Sequence, residues 1–231
     1  MAKKKILLFI VEGPTDESAL STVFSRIFSS DMVKFHVIHG DILTRDFVRP
    51  ERIAATVNEQ IKAFRNDIYK PADFCKVVHL IDMDGVYIPD SSIIEENEPD
   101  KTYPFYTDTQ ILTPSPQKII DRNKRKRDAI AKLSVTGKIG GISYSLYYFS
   151  CNLDHVLYNR KNLSEAGKIQ LANDFDLQYA EDPNAFIQLM KTGAFAVSGT
   201  YSQTWAFIKQ PGPYSLERHS NLHLELPDHC D

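Results

Sequence analysis

The chain reads as an α/β protein with a parallel central sheet and helices on both faces, and three observations lead there. Two short apolar runs, Ile6-Leu7-Leu8-Phe9-Ile10-Val11 and Val77-Val78-His79-Leu80-Ile81, stop at Glu12-Gly13-Pro14-Thr15-Asp16 and Asp82-Met83-Asp84-Gly85. Such runs, closed by Gly or Pro, are strands buried on both faces, as in parallel sheets covered by helices. The intervening segments change to helical spacing, so the order becomes strand, helix, strand, helix, strand, which calls for right-handed crossovers. Finally, the acids gather where strands one and three end, and in open α/β sheets ligands bind at that edge.

Taken in order, Pro14 suits a first helical position, and Asp16 and Glu17 in the first turn complement the helix dipole. Ala19/Leu20, Val23/Phe24 and Ile27/Phe28 recur at helical spacing and give one broad apolar face that ends near Ser29-Ser30-Asp31. Phe35, Val37 and Ile38 make a second strand before Gly40-Asp41, and Pro50 opens a helix carrying Ile53, Val57, Ile61 and Phe64 inward. From Val86 to about Pro116, prolines, tyrosines and acids replace periodicity, which predicts a long loop or small insertion, either a lid beside the site or a solvated excursion. Ser115 or Pro116 starts a helix to Leu133 with a basic middle, Arg122, Lys124, Arg125, Lys126 and Arg127, read as a solvated face and a candidate contact for phosphates. Leu146-Tyr147-Tyr148-Phe149 is a fourth strand ending at Ser150-Cys151-Asn152, with a helix starting at Leu153. Further helices fall near Ser164 to Asn173 and Pro183 to Lys191, then a Gly/Ser-containing stretch around Trp205 and a polar tail with Pro211, Pro213 and Pro227. The expected organisation is one α/β domain over residues 1–160, interrupted at about 86–116, and a C-terminal helical and irregular extension, 161–231, packed on the same core.

With 231 residues and 42% hydrophobic content, the chain can bury one good core. Its longest apolar run falls far short of the about 20 residues that cross a bilayer, so no membrane role is expected. Cys75, Cys151 and Cys230 form no disulfide or zinc spacing, and free thiols fit a reducing, cytoplasmic setting. A net charge of −3 excludes a global basic field, so any polyanion must be held by a local patch or through metal ions.

If the first two crossovers leave strand one in opposite directions, the acidic turns after strands one and three meet at the switch point. Glu12, Asp16, Asp82 and Asp84 then face one crevice. Crowded carboxylates repel, so they require cations or retained protons. Oxygen ligands at such spacing suit a hard ion, Mg²⁺ or Mn²⁺. Asp82-Met83-Asp84-Gly85 alone would pass for a polar turn. His79 reads as a hydrogen-bonded core histidine, and His219, His223, His229 and Cys230 as a solvated tail rather than a zinc site. Val135-Thr136-Gly137-Lys138 lacks the first glycine and the strand of a phosphate loop.

A first strand ending in Glu-Gly-x-x-Asp and a later one ending in Asp-x-Asp-Gly resembles the Toprim domain, over roughly residues 5–155 without the insertion. The spacing of Glu12 and Asp16 is closest to nucleases of the overcoming-lysogenisation-defect (OLD) type found in phage defence. That resemblance implies a Rossmann-like parallel sheet and metal-dependent cleavage of RNA or DNA. By position, Glu12 would be a ligand or general acid/base, Asp16 a ligand beside it, and Asp82 and Asp84 the ligands across the crevice. Ser92-Ile93-Ile94-Glu95 has the form of the Ser-x-x-Glu element of OLD nucleases, and no lysine is matched to the family's basic catalytic residue. The resemblance also implies a separate ABC-type ATPase partner, because this sequence contains no ATPase of its own.

Two other readings stay open. Val77 to Val86 also resembles the first motif of haloacid-dehalogenase-type phosphatases, with Asp82 as nucleophile, Asp84 as acid/base, Ser150 on phosphate, Lys168 as charge stabiliser and Asp174 or Asp176 as a distal metal ligand. It leaves Glu12 and Asp16 unexplained. The third reading is a regulatory module that keeps the fold without turnover.

Overall fold

The computed structural model describes residues 4–28, 32–45 and 48–230. Its main sheet has the order β2-β1-β3-β8-β7, built from β1 (Ile6–Val11), β2 (Met32–Val37), β3 (Phe74–Asp82), β7 (Lys138–Ile139) and β8 (Ile142–Phe149). The first four in that order run parallel, and the short β7 pairs antiparallel with β8. The chain is therefore mixed α/β with a mostly parallel sheet. β1 lies between β2 and β3, so the crossover through α1 (Pro14–Ile27) goes one way and that through α2 (Ile53–Arg65) goes the other. This is the topological switch point.

Every residue of β1 is buried, because successive side chains alternate between two covered faces. Ile6, Leu8 and Ile10 pack with α2, α3 (Pro116–Leu133) and α7 (Tyr201–Ile208). Leu7, Phe9 and Val11 pack with α1, α4 (Leu153–Tyr158), α5 (Glu165–Ala180) and α6 (Pro183–Thr192). At roughly 1.5–3 kcal/mol for each fully buried large apolar side chain, these two layers supply most of the drive to fold. The C-terminal region contributes to both layers through Trp205 and Ile208 on one side and Phe186 and Met190 on the other.

Several expectations are corrected. Residues 86–116 are not a plain loop: β4 (Ile93–Glu95), β5 (Phe105–Tyr106) and β6 (Ile111–Thr113) form a small sheet, order β4-β6-β5, over Ile88, Ile93 and Ile111. The stretch around Trp205 is the helix α7, capped by Thr200 accepting from the Gln203 N–H. The tail is not solvated as a whole. The Ser150 N–H donates to the His219 carbonyl at 2.7 Å, the Tyr148 N–H donates to Asn221 Oδ1 at 3.0 Å, and Ser215, Ser220 and Asn221 are buried. Polar residues fill this place because they satisfy the exposed edge groups of β8. His79 is the core histidine expected, fully buried with Nδ1 2.9 Å from the Tyr144 hydroxyl and its pKa lowered to about 3 by burial. The Ser29-Ser30-Asp31 helix end lies outside the described residues.

Candidate functional site

Glu12 follows β1 directly, and Asp82 closes β3, its neighbour in the sheet. The two ends meet: Glu12 Oε1 accepts from the Asp82 N–H at 3.2 Å. Asp82 Oδ1 in turn accepts from the Leu153 N–H at 2.9 Å, where α4 begins beyond β8. Asp16 bends back to accept from the Gly13 N–H at 2.9 Å, so it also caps the start of α1. Glu12, Asp16 and Asp82 line one cavity with Asp154 and Lys168.

Asp154, on α4, was not singled out from the sequence. It is only 7% exposed. Its carboxylate accepts no hydrogen bond among the described residues, although it feels the charge of Lys168. The detectable signal was an acid just past the fourth apolar run, at the same sheet edge as Glu12 and Asp82.

Asp84 faces differently. It adopts φ 51°, in the left-handed region, followed by Gly85 at φ 68°. A Cβ on Gly85 would lie 2.6 Å from Leu216 Cδ2, so only glycine fits this turn. The turn brings Asp84 Oδ2 to 2.7 Å from Lys126 Nζ and Asp84 Oδ1 to 3.1 Å from the Tyr106 hydroxyl, while Arg122 donates to the Asp84 carbonyl at 2.8 Å. Lys126 Nζ also lies 2.7 Å from Asp41 Oδ2, and Asp41 holds its own turn by accepting from the Leu43 N–H.

The expected basic face of α3 is therefore corrected. Lys126 is completely buried, half-buried Arg122 is bonded to Asp84 and Tyr106, and Arg127 donates to the Val86 carbonyl. Arg125 is half-buried, and of the five residues only Lys124 is well exposed. Ile119, Lys126, Ile130 and Leu133 share the buried face, so helical spacing turns the lysine inward. Glu95 of the Ser92–Glu95 element is exposed on β4 and lines neither cavity that borders the acids.

Burial and the charge of Asp41, with smaller contributions from Asp84 and Asp16, push the Glu12 carboxyl well above its usual range against the pull of Lys126. Burial and Glu12 do the same to Asp82. Burial raises Asp16 to about 6, partly offset by its bond from Gly13, and raises Asp154 to about 6. Asp84 is the exception: burial disfavours its charge, but Lys126 and Arg122 outweigh this and hold it below the usual range. Burial likewise opposes the Lys126 charge, and Asp41, Asp84 and Glu12 keep that ammonium protonated.

Among the described residues, no three His, Cys, Asp and Glu side chains already converge as a preformed metal cage. The donor set nevertheless suits a hard cation. Glu12, Asp16, Asp82 and Asp154 offer oxygen only, Lys126 and Lys168 offset their burial only in part, and a divalent ion would compete with protons for them. No helix among the described residues is long and apolar enough to cross a membrane. No protein-family model, no curated protein and no solved structure matches the chain.

Proposed function

We propose that the chain is a divalent-metal-dependent nuclease whose site is built by Glu12, Asp16, Asp82 and Asp154. The observation that carries this reading is the meeting of these acids in one cavity at the switch point, with raised proton affinities that Lys126 and Lys168 do not cancel. Held by these carboxylates, Mg²⁺ or Mn²⁺ would supply Lewis-acid stabilisation of a phosphodiester undergoing in-line displacement. The protein's part is orientation and proton handling. Asp82 is fixed by the Leu153 N–H, and Glu12 by the Asp82 N–H. Glu12, with its raised proton affinity, is the group suited to accept a proton from attacking water. Lys126 places a permanent positive charge on the Asp84 side, and Lys168 places another beside Asp16 and Asp154.

The phosphatase reading finds less support. The Ser150 hydroxyl is spent on the Tyr214 carbonyl at 2.7 Å, Asp174 is exposed, and Asp176 accepts from Thr22 on the far part of α5. Incubating the purified chain with labelled RNA and DNA, with Mg²⁺ or Mn²⁺ and then with EDTA, tests the proposal. Metal-dependent cleavage is expected, falling about 100-fold or more in Glu12→Gln and in Asp82→Asn. Full activity in Glu12→Gln, or no cleavage under any metal, would overturn it. A part in phage defence and a separate ATPase partner belong to the same proposal on the strength of the Toprim resemblance, and phage plating with and without Glu12→Gln tests the first.

A further inference from the structure

A second cavity, about 660 Å³, adjoins the acid site and shares Asp82, Asn152, Glu165 and Lys168 with it. One wall comes from the small sheet, where Tyr103, Phe105 and Tyr106 lead from the surface to Asp84. The other comes from the α4–α5 connection, with Asn162 and Leu163. The walls are fastened together. Asn162 Oδ1 accepts from the Tyr106 N–H at 2.9 Å, its amide donates to the Tyr106 carbonyl at 2.8 Å, and Lys161 reaches the Thr107 carbonyl and Asp108 at 2.9 and 2.6 Å. Clamped walls fix the width of the cleft.

From this geometry we infer that the cleft takes an unpaired nucleobase, so that the substrate is single-stranded nucleic acid; the inference rests on the nuclease reading of the adjoining acids. Three observations support it. The volume falls in the range of pockets for a single small ligand, which is room for one nucleotide and not for a duplex. The wall nearest the acids is aromatic, and stacking on such rings is tolerant of sequence because every base has a π face. Even with Asp82 set aside, Asp84, Glu98, Asp100 and Glu165 outnumber Lys101, Lys161 and Lys168 in the lining, so away from a metal-bound phosphate the cleft favours an uncharged base. Lys101, tied to Glu96 and Glu98, lies 4.9 Å over the Phe105 ring, so a stacked base takes the opposite face of that ring or displaces the ammonium.

Fluorescence anisotropy on Glu12→Gln protein, which binds without cutting, gives the test with a short labelled oligothymidylate and a blunt duplex of equal length. The single strand should bind about tenfold tighter than the duplex, and Phe105→Ala should weaken it about tenfold while Phe105→Trp restores it. Equal binding of the two probes, no binding of either, or an unaffected Phe105→Ala variant would overturn the inference. Should Phe105→Ala unfold, Phe105→Leu, which keeps bulk without a ring, decides in the same way. Phe105-dependent binding by a chain that hydrolyses nothing would sink the nuclease reading and leave the cleft standing. Cleavage that is indifferent to Phe105 would do the reverse.

Discussion

The acid site has two halves that solve one electrostatic problem in opposite ways. On the α3 side, Asp41 and Asp84 grip the buried Lys126, Arg122 backs the turn, and Asp84 ionises more readily than an ordinary aspartate. On the α4 and α5 side, Lys168 lies beside Asp16 and Asp154 and Lys126 acts on Glu12 and Asp82, but neither outweighs burial, and the proton affinities of all four stay raised. One half carries its counterion in its own sequence. The other leaves its burial uncompensated, which is where the proposed divalent ion would sit.

The strongest way to break this contrast is Lys126→Met. It strands two carboxylates beside Glu12, so it should cost about 3–5 kcal/mol, read as a lower urea midpoint. Adding Asp84→Asn should recover part of the loss, and wild-type stability in the single variant would show that the lysine is no internal counterion.

Next in size is the response to metal. Asp16 and Asp154, at about 6 when folded and 3.8 as ordinary carboxylates, bind more protons in the folded chain between those values. Their stabilisation is complete below about 3.8 and is lost as pH rises through about 6. Saturating Mn²⁺ at pH 7.5 should therefore raise the melting temperature, by the equivalent of about 2.7 kcal/mol at a hundredfold excess over Kd. At pH 5 protons compete and the rise should nearly vanish; an equal rise at both values would break the contrast. Asp154→Asn sharpens it further, because removing a buried charge that Lys168 only partly offsets should stabilise the metal-free chain at pH 7.5 by about 2 kcal/mol while weakening the Mn²⁺ response. Smallest is Tyr106→Phe, which deletes the hydroxyl between Asp84 and Arg122 and should cost about 1 kcal/mol without changing the metal response.

How much of this could be read from the sequence depended on which physical signal each residue left. β1 and β3 were plain because burial on both faces writes continuous apolar runs, and their closing acids stood out against them. Lys126 was misplaced because it was taken as part of a charge run rather than by its helical register with Ile119, Ile130 and Leu133. Asp154 was hidden by a strand end whose Ser150-Cys151-Asn152 offered other roles. Helix α7 follows Gly199 and Thr200, which look like a turn although Thr200 is a cap. The insertion carries too few apolar residues to announce strands, since its sheet covers only a small cluster against Ile119, Cys151 and Leu216.

The Ser215 main chain has a consequence in time. Its carbonyl accepts from the N–H groups of Gly85 and Cys151, and its hydroxyl accepts from the Tyr87 N–H, so one late residue knits together the turn that holds Asp84 and the end of β8. During synthesis the acids of β1 and β3 leave the ribosome long before that knot can be tied. The turn that holds Asp84 is therefore locked to the end of β8 only once Ser215 has been made.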